Sequence, residues 1–154
     1  MIQRIQSVYL SLTILLALLL LKCNFLVFSD TSGNAIIVTF KGIVSSGGLS
    51  SDKSWIIFLL SGIIILVPVI SLVTILLYKK RSFQLKSALT GILLSALLII
   101  VSVYYSYTVC SKFDASFIPN LKMVIPLLLL IFNYLAYRGI RKDDRTIRSY
   151  DRLR

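Results

Sequence analysis

Four long apolar runs separated by polar segments organise this chain. The first extends from Val8 to Phe28, interrupted by Lys22 and Asn24 near its end. The second, Trp55–Tyr78, carries no charge, and Ala88–Tyr107 and Ile118–Tyr137 form the third and fourth. Each has about the twenty residues that a helix needs to cross roughly 30 Å of hydrocarbon at 1.5 Å per residue. Each also ends near an aromatic or basic side chain, the residue types that anchor a helix at the membrane–water interface. The pattern predicts helices over about 5–28, 55–78, 88–110 and 118–138 within a single domain, 1–154. Between them fall an outer loop, 29–54, an inner loop, 79–86, and a tail, 139–154.

The outer loop changes period. Ala35–Phe40 is β-branched and aromatic, which predicts a strand. Asp30–Asn34 before it is a turn signal, so Phe25–Ser29 can pair back as a hairpin. A lone hairpin is marginal in water and should rest on the helix ends. Ser45–Ser51 reads as a linker. The expected fold class is an all-α membrane protein, a four-transmembrane-helix bundle with a small extracytoplasmic β-element between helices 1 and 2.

Composition strengthens the membrane reading. Of the 154 residues 57% are hydrophobic and mean hydropathy is +0.89, more apolar surface than so short a chain can hide from water. The formal charge of +11 suggests nucleic acid until its placement is considered. Of 17 Lys and Arg, four lie in Lys79–Lys86 and seven in Arg138–Arg154, directly abutting apolar runs. Such residues orient helices, and no folded module remains to bind nucleic acid. With the N-terminus inside, twelve basic residues fall on inner segments and five on outer ones, so both ends are expected in the cytoplasm. A cleavable signal peptide is the rival for the first run, with Val27-Phe28-Ser29 as a cleavage site. The apolar stretch outlasts such a peptide, and Lys22 before Cys23 spoils a lipoprotein signal, so the first helix is expected to be retained.

Candidate chemistry is sparse. The chain has no His, and its six acidic residues are all Asp, placed in loops or the tail. A proton-coupled exporter needs an intramembrane carboxylate, and a membrane thiol oxidoreductase needs a Cys-x-x-Cys pair. Neither is here; no catalytic residue, metal site or cofactor is implied. Ser87, Gly91 and Ser95 form a small-residue stripe with two readings, internal packing or a partner face. Asn133 is expected to make an interhelical hydrogen bond. Pro68 and Pro126 predict kinks, with Ser71 and Thr74 near enough to satisfy freed backbone groups. The tail has two readings, a solvated anchor or a helix extension that docks on lipid or protein. Its candidate residues are Ile140, Arg141, Lys142, Ile147, Arg148, Tyr150 and Arg152. Cys23 and Cys110 both fall toward the outer interface, where they are either a disulfide or two unrelated small residues.

The opening Met1-Ile2-Gln3-Arg4-Ile5-Gln6-Ser7-Val8-Tyr9-Leu10 resembles the start of a Bacteroidota family of four-helix membrane proteins, domain of unknown function 4293. The close resembles that family too, through Asn133–Asp144 and Ile147–Arg154. The resemblance implies a bacterial inner membrane, a retained first helix and a tail distinctive of the family. It supplies no activity. The expected function is a non-enzymatic structural or accessory subunit, with the bilayer and a membrane-protein partner or second copy as its contacts. The alternative is a small transporter or lipid-handling protein with a polar groove between helices.

Overall fold

The computed structural model describes residues 5–22, 26–29, 35–39, 42–45, 55–113, 116–118 and 121–151. Its helices are α1 (Ile5–Lys22), α2 (Trp55–Leu76), α3 (Arg81–Phe113) and α4 (Val124–Asp151). All four are long and apolar enough to cross a membrane. Each packs on two neighbours, in the ring α1–α2–α3–α4. Only 28% to 33% of each spanning window is buried, which leaves most of every helix surface as apolar side chains facing outward. That is the distribution for a bundle whose solvent is lipid rather than water.

Aromatic side chains gather at both ends of the outward surface. Trp55, Phe58, Tyr104 and Tyr107 are exposed at one end, and Tyr78, Phe83 and Tyr134 toward the other. Two such levels match the two interfaces of a bilayer. The end where α1 begins and α4 leaves carries Lys80, Lys86, Arg138, Arg141, Lys142 and Arg145, and is called the basic end below.

The opposite end is closed by a four-stranded sheet of order β3-β2-β1-β4. Strands β1 (Leu26–Ser29) and β2 (Ala35–Thr39) pair antiparallel, with Leu26 opposite Val38 and Ser29 opposite Ala35. Strand β3 (Gly42–Ser45) pairs with β2, and β4 (Ser116–Ile118) with β1. Phe28 is fully buried and joins Leu20, Ile57, Val109 and Ile125 in the hydrophobic core. The sheet thus rests on the helix ends.

Several boundaries differ from those that hydropathy predicts. Helix α1 stops at Lys22 instead of 28, because Leu26–Ser29 satisfies its backbone groups in the sheet. The β-element is not confined to the connection between α1 and α2: β4 comes from the connection between α3 and α4, and three residues are too few to reveal an alternating pattern. Helix α3 begins at Arg81, seven residues before the apolar run. A 3₁₀ turn at Leu77–Lys79 leads into it, and the Gln84 amide donates to the Lys80 carbonyl at 3.0 Å. Helix α4 begins at Val124 and continues unbroken through the predicted tail to Asp151. Pro126 therefore sits in the first turn, where its missing N–H costs no hydrogen bond and no kink follows. Pro68 lies inside α2 as expected, but the nearby hydroxyls do not serve the carbonyl it frees. Ser71 donates to Val67 and Thr74 to Ile70 instead.

Candidate functional site

The interior divides into two halves of different chemistry. Toward the sheet it is largely apolar, built around Leu20, Leu60, Ile64, Leu98 and Ile125, with the buried Ser102 hydroxyl turned back onto the Ile99 carbonyl of its own helix. Toward the basic end it is threaded by polar contacts between helices. Thr13 of α1 meets Ser71 of α2, oxygen to oxygen at 3.1 Å. Each hydroxyl also lies within bonding distance of a carbonyl of its own helix, Leu10 at 2.7 Å and Val67 at 2.9 Å. Two protons serve three contacts, so the bridge exchanges with a local bond instead of adding to it. Thr74 of α2 and Ser87 of α3 lie 2.6 Å apart. There the protons suffice: Ser87 can donate to Thr74 while Thr74 donates to Ile70.

Helix α4 closes the ring. Asn133 is buried and its Nδ2 donates to the Gly91 carbonyl of α3 at 3.5 Å. A Cβ on Gly91 would lie 3.3 Å from Asn133 Oδ1, so the missing side chain lets the amide approach. At the outermost level Gln6 of α1 donates through Nε2 to Asp143 Oδ2 of α4. Gly139 admits Gln6 there, since a Cβ at that position would stand 2.9 Å from Gln6 Cγ. A stacked pair, Tyr9 and Phe132, with centroids 6.4 Å apart, joins the same two helices.

The stripe Ser87, Gly91 and Ser95 therefore faces into the bundle. Ser87 meets α2, Gly91 meets α4, and Ser95 is buried with its hydroxyl on the Ile92 carbonyl. The tail residues divide differently from the sequence expectation. Ile140 is 2% exposed and belongs to the bundle interior, four and seven residues beyond the buried Ala136 and Asn133 on one helix face. It is not available for docking. Arg141 and Lys142 are exposed. Ile147, Arg148 and Tyr150 fall on the last turns of α4, with side chains outside the described set, and Arg152 lies outside the described residues. Cys110 is half-buried and carries a free thiol, while Cys23 lies outside the described residues. Among the described residues, no three side chains of His, Cys, Asp and Glu gather into a metal site.

A family model described as domain of unknown function (DUF4293) matches residues 2–153. The chain belongs to that family. No curated protein matches it.

One further feature of this DUF4293 chain was not singled out by its sequence. A cleft of about 550 Å³ opens at the basic end between the early turns of α3 and the second half of α4. Leu85, Lys86, Leu89 and Thr90 line one wall; Tyr137, Arg141, Asp144 and Arg145 line the other. Three cations share it with one carboxylate. Asp144 is half-buried and already engaged in an interaction. Lys86 holds its ammonium 5.9 Å above the centroid of the Phe83 ring, a cation–π distance. The signal for this site was present as spacing. Lys86 and Thr90 are four residues apart, as are Tyr137, Arg141 and Arg145, which puts each set on one helix face once α4 is continuous.

Proposed function

We propose that this chain is a non-enzymatic integral protein of the bacterial inner membrane, with both ends in the cytoplasm, that acts as a structural or accessory subunit of a membrane assembly. The observation carrying this reading is the use made of the interior polar side chains. Thr13, Ser71, Thr74, Ser87 and Asn133 are the groups from which a transport groove would be built, and each is engaged with a neighbouring helix, a carbonyl of its own helix, or both. An interior of this kind holds helices together rather than passing a solute. The basic excess on the inner segments supports the orientation, and the resemblance to a Bacteroidota family supports the inner membrane. The 28-residue helix α4, about 42 Å long, exceeds a bilayer core and carries its charged end beyond it. That projecting end is the surface offered to a partner. Purification at native level in mild detergent should bring down a defined membrane protein in fixed ratio, and deletion of 147–154 should release it. Solute flux that appears in vesicles only when the purified chain is present would instead establish a transporter.

A further inference from the structure

We propose that the cleft between α3 and α4 is a binding site for the headgroup of an anionic phospholipid of the cytoplasmic leaflet. The inference rests on the proposed orientation for its choice of leaflet, and on the cleft itself for its chemistry. Lys86, Arg141 and Arg145 bring three cations to one cavity of about 550 Å³, against the single carboxylate of Asp144. A phosphodiester suits such a set, because arginine forks donate two parallel hydrogen bonds to its oxygens. Tyr137 adds a hydroxyl. Thr90 gives its own proton to the Ser87 carbonyl at 2.7 Å and so offers only acceptor lone pairs, suited to a headgroup hydroxyl.

Position and shape select a lipid over a soluble anion. The exposed Tyr78, Phe83 and Tyr134 stand near this end of the bundle, marking it as the headgroup level. Below the cleft, the α3 wall continues along one face through Leu89, Leu93, Leu97 and Ile100, which are 44% to 66% exposed. The α4 wall continues through Tyr134, Ile131 and Leu127, which are 40% to 52% exposed. A cationic cavity that opens onto two apolar tracks matches a molecule with an anionic head and acyl chains. An acidic peptide or free phosphate would use the cavity and leave the tracks unused.

The test is a titration of the full-length protein in neutral detergent with short-chain phosphatidylglycerol, phosphatidylcholine of the same chain length, and inorganic phosphate. Phosphatidylglycerol should bind, and the other two should bind at least tenfold more weakly. Lys86→Gln, Arg141→Gln and Arg145→Gln each remove an exposed charge from the cleft, so the bundle should stay folded. Each should weaken phosphatidylglycerol about fivefold, the weight of one basic side chain near an anionic surface, and the triple variant about a hundredfold. Arg138→Gln and Lys142→Gln remove equally exposed charges of α4 that do not line the cleft, and should change binding less than twofold. Equal losses in the control variants would reduce the effect to general attraction and overturn the site. Equal affinity for phosphatidylcholine, or for inorganic phosphate, would overturn its assignment to an anionic lipid. Reporter fusions read the orientation separately. An external C-terminus would refute the cytoplasmic leaflet while leaving the detergent measurement intact.

Discussion

Gly91 and Asn133 allow the bundle's internal polar contacts to be tested as a cycle. Replacing a helix-interior glycine by alanine gains about 0.8–1.0 kcal/mol of helix propensity when nothing opposes it. Here the new Cβ would stand 3.3 Å from Asn133 Oδ1 and 3.7 Å from Cγ, so the amide must yield by a few tenths of an ångström. Its hydrogen bond to the Gly91 carbonyl is already 3.5 Å long and does not survive that displacement. Interhelical polar contacts in membrane proteins are worth about 0.6 kcal/mol on average and up to about 1.7. Gain and loss therefore nearly cancel, and Gly91→Ala alone should change stability by less than about 1 kcal/mol in either direction. In an Asn133→Ala background both the obstruction and the bond are absent. The same Gly91→Ala change should then stabilise by its full 0.8–1.0 kcal/mol or so. Equilibrium unfolding of the four proteins, by titrating denaturing detergent into mild micelles, gives the coupling directly. The expected value is about 0.6–1.7 kcal/mol. A coupling within about 0.3 kcal/mol of zero would mean that the two helices do not meet through these residues.

Three further outcomes are expected. Gly139→Val should displace Gln6, whose Cγ is 2.9 Å from the position of a new Cβ, and should lower stability by at least about 1 kcal/mol; in a Gln6→Ala background most of that loss should vanish. Phe28→Ala empties a fully buried site under the sheet and should cost about 3–5 kcal/mol in the same unfolding assay, while leaving membrane insertion unchanged. Reporter fusions after Lys86 and Arg154 should read cytoplasmic and one at Ser46 external; a cytoplasmic signal at Ser46 would overturn the orientation.

The spans were legible because lipid solvation writes itself as composition: an outward face must be apolar over the whole thickness of the hydrocarbon. The ends of the elements were not, and the reason is physical. Hydropathy marks where lipid stops, whereas a helix stops where its backbone hydrogen bonds do. Ser82–Lys86 is too polar to read as span, yet it continues the ladder that starts at Lys80. The tail after Arg138 is charged and equally helical. Ile140 illustrates the consequence. Taken as part of a separate tail it was a docking residue, and on a continuous α4 it lies one turn beyond Ala136 on the buried face. Strand β4 was invisible for a different reason, since its partner β1 is distant in sequence and only the bundle brings them together. The cleft shared both difficulties: half of it lies on each of two helices whose extents were underestimated.

The two halves of the interior answer a problem that bundles in lipid share. Hydrocarbon tails are as apolar as leucine, so burying Leu20 or Ile64 against other helices gains little over leaving them in lipid, and packing alone fixes register weakly. This chain adds directional contacts at both ends. At one end the β-ladder ties the connection between α1 and α2 to that between α3 and α4. At the other, hydroxyl and amide contacts join α1 to α2, α2 to α3, α3 to α4 and α4 back to α1. Every adjacent pair is in polar contact there, and for three of the four pairs rotation or sliding separates a donor from its acceptor on the neighbouring helix, the Thr13–Ser71 contact being the one that local bonds replace. The part of α4 that lines the cleft is consequently held in register with α3, and the headgroup proposed for the cleft would meet two helices already in place. That is the condition under which a few exposed cations can discriminate one headgroup from another instead of attracting any anion.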